Sequence, residues 1–227
     1  MSESPRPLFA WPGWDDLRAT TVMAAQFVIF FYIFYGLAAY VVDVIPYKYD
    51  LGLAWESKIP FIPETAIIYT SMSLMMILSL FIIRDKQRVH ELLKVLCLQV
   101  LIGTTVFVVF PVVNHFPEIN RTNDLPVIYV IADVMNFKNN NFPSLHICFS
   151  VTMAIIFSGE ANPWQALIFK LWALAIIIST FTLYEHGLAD TLSGCALGLW
   201  GVSRWRKADS HIRTVQAEIQ TLDAHSE

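Results

Sequence analysis

Apolar positions in this chain do not alternate with polar ones; they collect into long runs separated by short polar intervals. Counting stretches of about 17 to 25 mostly uncharged residues, the length that crosses a bilayer as a helix, gives six: Val22–Val42, Thr65–Ile83, Leu92–Val113, Pro143–Ser158, Trp164–Tyr184 and Gly187–Trp205. The last is weakened by Asp190. The pattern predicts an all-α polytopic membrane protein, six transmembrane helices in a bundle. Three stretches are expected: an interfacial or cytoplasmic segment at 1–21, a membrane domain at 22–205, and a polar cytoplasmic tail at 206–227. The first segment is aromatic and Pro-rich (Pro7, Phe9, Trp11, Pro12, Trp14), and the run after it is too long for a signal-peptide core. In the tail, Ile212, Val215, Ile219 and Leu222 fall at helical spacing, which predicts a short surface helix or a partner contact.

Composition agrees. The chain is 56% hydrophobic and 15% charged, against roughly 45–50% and about 25% in soluble domains. No polar stretch is long enough for a separate water-soluble domain. The net charge of -4 is modest, and the cations sit in short clusters beside apolar runs, which excludes a broad basic face for nucleic acid. Cys97, Cys148 and Cys195 lie inside apolar runs at scattered spacing, so they read as small buried hydrophobes rather than a disulfide framework or a thiolate metal site.

Lysine and arginine placement orients the bundle. With six spans, one side holds Arg6, Arg18, Arg84, Lys86, Arg88, Arg204, Arg206, Lys207 and Arg213; the other holds Lys48, Lys58, Arg121 and Lys138. Both termini are therefore expected in the cytoplasm, with the chain in a cell inner (plasma) membrane.

Ionisable residues inside a membrane domain are costly, so each raises a functional question. The non-cytoplasmic side collects most of them: Arg121, Asp133 and Lys138 in the third-to-fourth loop, Pro143-Ser144-Leu145-His146 at the start of the fourth span, and Tyr184 to Asp190 at the fifth-to-sixth junction. His186 and Asp190 are four apart, one turn on a helix, so the carboxylate would accept a hydrogen bond from Nδ1 and leave Nε2 free as nucleophile or base. The bland reading is a polar pair joining two membrane helices. Against it, His146 follows Pro143 and Ser144 at a helix start, where free backbone N–H groups attract anions.

Pro143-Ser144-Leu145-His146 resembles the second signature of the type 2 phosphatidic acid phosphatase superfamily, usually Pro-Ser-Gly-His. Ser179 to His186 with Asp190 is similar to its third, usually Ser-Arg, five residues, His, three residues, Asp. The resemblance covers roughly 107–201. It implies a membrane catalytic domain in which His186 attacks phosphorus, Asp190 orients it, and His146 protonates the leaving alkoxide and later activates water or an acceptor hydroxyl. Ser144 and nearby backbone N–H groups would bind phosphoryl oxygens. The scheme requires no metal and no cofactor. The first signature, Lys followed by Arg-Pro after six residues, is not intact: Asn114 stands for the lysine and Thr122 for the proline, so Arg121 is a provisional phosphate clamp and Lys138 a second candidate. Thr180 replaces the third-signature arginine and Leu145 the usual glycine, which resembles the inositol phosphorylceramide synthase branch.

The expected substrate is a phosphorylated lipid in the bilayer, cleaved at the extracytoplasmic face. Hydrolysis and transfer of a phosphorylated head group share the phosphohistidine step; the brief outer loops, Asp43–Glu64 and Asn114–Phe142, favour hydrolysis. The non-enzyme alternative is a small transporter or proton relay on the same His and Asp residues. No His-Glu-x-x-His array suggests a metal enzyme, and no Gly-x-Ser-x-Gly elbow surrounds Ser144. The sequence carries no indication of oligomeric state.

Overall fold

A computed structural model describes residues 8–9, 11–117, 119, 125–136 and 140–226. Arg121 and Lys138, both named as phosphate ligands from sequence, lie outside the described residues.

The described chain is helical. The first apolar run gives α1, Trp14–Val44. It starts earlier than its hydropathy alone predicts, at Trp14, the last residue of the aromatic segment. One stripe (Phe27, Tyr35, Ala38, Val42) is buried against the bundle, while Val28, Ile29, Ile33 and Leu37 face outward; an outward apolar stripe suits a hydrocarbon solvent. A loop with a short helical turn at Glu56–Lys58 leads to a second turn at Pro63–Thr65, then α2 (Ala66–Thr70) and α3 (Met72–Ile82). Next comes α4, Lys86–Val109, whose Asp85 cap accepts the N–H groups of Gln87 and Arg88. A short α5, Val127–Met135, was not anticipated from sequence. Then follow α6 (Leu145–Glu160) and α7 (Pro163–Thr182); Asn162 and Gln165 close a capping box with Pro163 as the first helical residue of α7. The last helix, α8, runs unbroken from Leu188 to Ser226. The tail is therefore a continuation of the sixth apolar run rather than a separate surface helix.

All six apolar runs are helical, but the six-span count is not established. Trp14–Val44, Pro63–Ile82, Lys86–Val109 and Pro163–Thr182 are long and apolar enough to cross a membrane. At 16 residues, α6 rises only about 24 Å, short of a hydrocarbon core of about 30 Å. The apolar part of α8 is diluted by Asp190, serines and glycines before the charges from Arg204 onward.

α6 is the centre of the bundle, with Ile147, Cys148, Phe149, Thr152, Met153, Ile156 and Phe157 buried against α3, α4, α7 and α8. Two glycines let α8 lie on it: a Cβ on Gly194 would stand 2.6 Å from the Ser144 carbonyl oxygen, and one on Gly198 2.8 Å from that of Cys148. Small residues at that spacing let membrane helices approach backbone to backbone. The loop after α1 is tied to the segment after α4 by a bridge, Tyr49 N–H to the Pro111 carbonyl at 2.8 Å and Val113 N–H to the Tyr49 carbonyl at 2.9 Å. Together they form a cap over the end of the bundle where α6 and α8 begin.

Candidate active site

Two helix starts build the site. In the turn between α7 and α8, the Thr180 carbonyl accepts the N–H groups of Glu185 (2.9 Å) and His186 (3.3 Å). Tyr184 turns the chain with a left-handed φ of 61°. Its hydroxyl donates to the Ile59 carbonyl at 2.7 Å, which pins the turn to the cap. His186 thus lies in the turn, two residues before α8, and not on the helix with Asp190 as the four-residue spacing suggested. The two still meet: Nδ1 of His186 is 3.7 Å from Oδ2 of Asp190. That is beyond hydrogen-bond range. Oδ2 instead accepts the Gly187 N–H at 3.0 Å, and Nδ1 is buried with no hydrogen-bond partner. Both residues are buried, so the carboxylate and the imidazole lie beside each other away from solvent.

At the other start, Ser144 caps α6 by accepting the Ile147 N–H at 3.3 Å. Pro143 precedes the cap instead of opening the helix. The Ser144 N–H donates to the Asp190 carbonyl at 3.2 Å, a direct backbone link between the two sequence motifs. Among the described residues the N–H groups of Leu145 and His146 have no partner, leaving the donor end of α6 open beside His186. Nε2 of His146 is 3.0 Å from the Tyr69 carbonyl oxygen, and its ring stacks on Tyr69 with centroids 3.8 Å apart. A carbonyl only accepts, so Nε2 carries the proton and the lone pair is on Nδ1.

The structure therefore brings His146, Ser144, His186 and Asp190 together. The substituted signature positions have local explanations. Asn114 donates to the Tyr184 carbonyl at 2.7 Å and accepts the Phe116 N–H, so it braces the turn. Thr180 is fully buried, its hydroxyl donating to the Ile177 carbonyl. Leu145 is accommodated because α4 offers Gly103, whose absent Cβ would stand 2.7 Å from the leucine Cδ2.

Three partners escaped the sequence reading. Asn136, which caps the end of α5, donates to the Tyr69 hydroxyl at 2.5 Å and to Glu185 at 2.8 Å, joining α2, α5 and the turn. Glu56 and His115 stand behind Gly187. Nothing in the sequence set Glu56 apart, since its loop also holds Lys48, Asp50, Lys58 and Glu64. Among the described residues no group of three or more His, Cys, Asp or Glu side chains is arranged to hold a metal ion.

No curated protein and no solved structure matches the chain. Residues 64–203, more than half of it, match the family model described as the PAP2 superfamily. That range runs from the start of the second apolar run through both linked helix starts. The chain belongs to the PAP2 superfamily, whose members are in general phosphoric ester hydrolases, and by its apolar helices and its family it is a membrane enzyme of the phosphatase or phosphotransferase type.

Proposed function

We propose that the protein cleaves a phosphate ester of a membrane lipid through a phosphohistidine on His186. The observation that carries this reading is the Ser144 N–H to Asp190 carbonyl bond, because it sets an open helix end and two histidines around one volume. A phosphoryl group entering there meets the N–H groups of Leu145 and His146 and the positive end of the α6 dipole. Nδ1 of His186 faces Asp190, so Nε2 is the attacking atom. The Nε2–P bond forms as the P–O bond to the lipid breaks. Asp190 stabilises the positive charge that develops on the ring. His146, with Nε2 held by Tyr69, works through Nδ1: it takes a proton there from the incoming phosphate monoanion, passes it to the leaving alkoxide, and with Nδ1 free again accepts one from the water that attacks phosphorus and releases His186. Arg121 and Lys138 are proposed to share the charge on the phosphoryl oxygens. No cofactor enters these steps.

The membrane catalytic domain at 22–205 is proposed to lie in a cell inner membrane with both termini cytoplasmic and the site extracytoplasmic. The test is purified protein with a panel of phosphorylated lipids, with and without a lipid alcohol. Free phosphate is the expected product. A head group recovered on the alcohol instead makes the enzyme a transferase with the same first half-reaction. Neither product from any lipid, with no covalent label on His186, defeats the proposal and favours a transporter or proton relay.

A further inference from the structure

Glu56 has no solvent exposure, although it belongs to a short turn in the loop after α1. Its Oε1 accepts the N–H of Leu188, the first residue of α8, at 2.5 Å. Its Oε2 accepts the Leu53 N–H at 2.6 Å and lies 2.9 Å from Nε2 of His115. The His115 ring sits between two glycines. A Cβ on Gly52 would be 2.2 Å from its Cγ, and one on Gly187 would be 2.7 Å from its Cε1 and 3.0 Å from Oε1 of Glu56. Gly187 and Leu188 directly follow His186, so this pair presses on the backbone that carries the proposed nucleophile.

A helix cap alone does not account for the arrangement. Asp190 already takes the Gly187 N–H from within α8. Burying a carboxylate from a distant loop carries a large desolvation cost, and a hydroxyl or amide cap would satisfy one N–H at a smaller one. The added carboxylate has a second effect. With Leu188 and Gly187 both donating to carboxylates, the start of α8 carries two negative charges that repel anions, whereas the first turn of α6 carries none. Phosphate is thereby directed to one side of His186.

We infer that Glu56 and His115 are positioning residues: a second carboxylate–imidazole pair, behind the turn, that fixes the Gly187–Leu188 backbone and so aligns Nε2 of His186 for attack. The inference rests on the proposed phosphohistidine reading. Glu56→Gln keeps an acceptor for Leu188 N–H but removes the charge; His115→Gln keeps a polar group near Glu56 but removes the ring. In the full-length protein, each variant is expected to lower kcat by about ten- to a hundredfold per folded molecule. KM should stay within about twofold, and phosphoenzyme formation should slow in step with kcat, since alignment acts on the chemical step and not on lipid binding. Glu56→Asp, which keeps the charge on a shorter arm, should recover part of the loss.

Folded amount is read by detergent-solubilised size exclusion and melting temperature. Should one variant fail to fold, the other decides on the same criteria. Wild-type kcat in a folded variant, a change confined to KM, or failure of both to fold overturns the inference, the last making the pair structural only. If the wild-type protein neither processes phosphorylated lipid nor labels at His186, the failure belongs to the proposed function and not to the pair.

Discussion

The two ends of the bundle solve opposite problems. At the end where α4 and α8 carry their charges, Arg88 lies between Glu160 (2.6 Å) and Asp209, and Arg213 binds the same two carboxylates at 2.7 and 2.9 Å. Arg88 also lies over the Trp205 ring at 5.5 Å. Each charge in this box has its counter-charge, and together they tie α4 and α6 to the extension of α8. At the other end, among the described residues, Nδ1 of buried His186 and the N–H groups of Leu145 and His146 have no hydrogen-bond partner, and two imidazoles face carboxylates. A closed box is what a protein builds to hold itself together; a set of near-satisfied buried groups is what it keeps for a ligand. The box also borders a cavity of about 560 Å³ lined by Arg84, Asp85, Arg88, Glu160, Arg213 and Gln216. Its charged walls are largely engaged with one another, so size alone does not mark the chemistry.

The sharpest way to break the contrast is to remove the nucleophile. His186→Ala should lower turnover at least about 1000-fold and abolish covalent labelling by phosphate-labelled substrate, with no loss of folded protein. Asp190→Asn should cost less, because Nε2 remains and an amide oxygen still accepts the Gly187 N–H. Wild-type-like turnover by His186→Ala would end the assignment.

The box should behave in reverse. Arg88→Ala leaves Asp209 and Glu160 mostly buried with only the half-exposed Arg213 to pair. Breaking a buried pair in this way costs on the order of 3–5 kcal/mol, so the unfolding midpoint in detergent should drop sharply while kcat per folded molecule stays at wild type. A kcat loss with unchanged stability would put Arg88 in the catalytic machinery.

These two residues were unequally legible in the sequence. His186 stood out because an ionisable group near a membrane span needs a reason. Arg88 counted only as one more positive charge for topology, since its partners Glu160 and Asp209 are far away along the chain. Apolar runs located the long helices, because bilayer length is a strong constraint, although α1 starts eight residues before Val22 and α4 six before Leu92. At α8 the runs stopped short, because the helix continues past Trp205 to Ser226; the Asp190, serines and glycines near its start are tolerated by close packing against α6, a fact of tertiary contact. α5 was invisible for the converse reason: it is a short helix inside an interval read as polar loop. Glu56 and His115 meet only because Tyr49 and Val112 bridge their segments. The spacing of His186 and Asp190 predicted proximity correctly and the helix wrongly, because Tyr184 and Gly187 make a turn where four-residue periodicity had implied continuity.

The phosphate ligands come next. Asn114 and Thr180 are both committed to protein groups, so Arg121 and Lys138 are the residues proposed to share the charge on the phosphoryl oxygens. At least one of Arg121→Ala and Lys138→Ala should lower turnover by about 100- to 1000-fold. If Arg121 is the clamp, Arg121→Lys should also be impaired, since an ammonium lacks the guanidinium fork. Near-normal turnover by the double alanine variant would leave the phosphate to backbone N–H groups and the histidines.

Gly194→Ala tests whether the two helix starts must touch. Its methyl would meet the Ser144 carbonyl oxygen at 2.6 Å and Ile147 at 3.2 Å. Overpacking of this kind costs about 1–3 kcal/mol, and the relief is to push α8 off α6, which stretches the Ser144–Asp190 link. Stability and kcat should fall together, unlike in Arg88→Ala, where only stability moves. Activity at wild-type level despite a lowered midpoint would mean that the link is not needed for catalysis.

The smallest effect is expected at Asp85, beside the box. Its Oδ1 caps α4 and its Oδ2 accepts from Gln216 Nε2 at 2.8 Å, fastening the α8 extension. Burial pushes its carboxyl up, but the N–H groups of Arg88 and Gln87, the Gln216 amide and the Arg88 charge outweigh that and hold it below its ordinary 3.8. A carboxylate depressed by folding contributes stability that is complete above its unfolded value and is lost as pH falls through the folded one. Asp85→Ala should therefore cost about 1 kcal/mol at neutral pH, the usual worth of a cap, and the gap to wild type should narrow as pH is lowered below about 4. Asp85→Asn should retain most of the stability at neutral pH, because an amide oxygen still caps. A gap that persists unchanged into acid would assign the contribution to packing of the side chain and not to its charge.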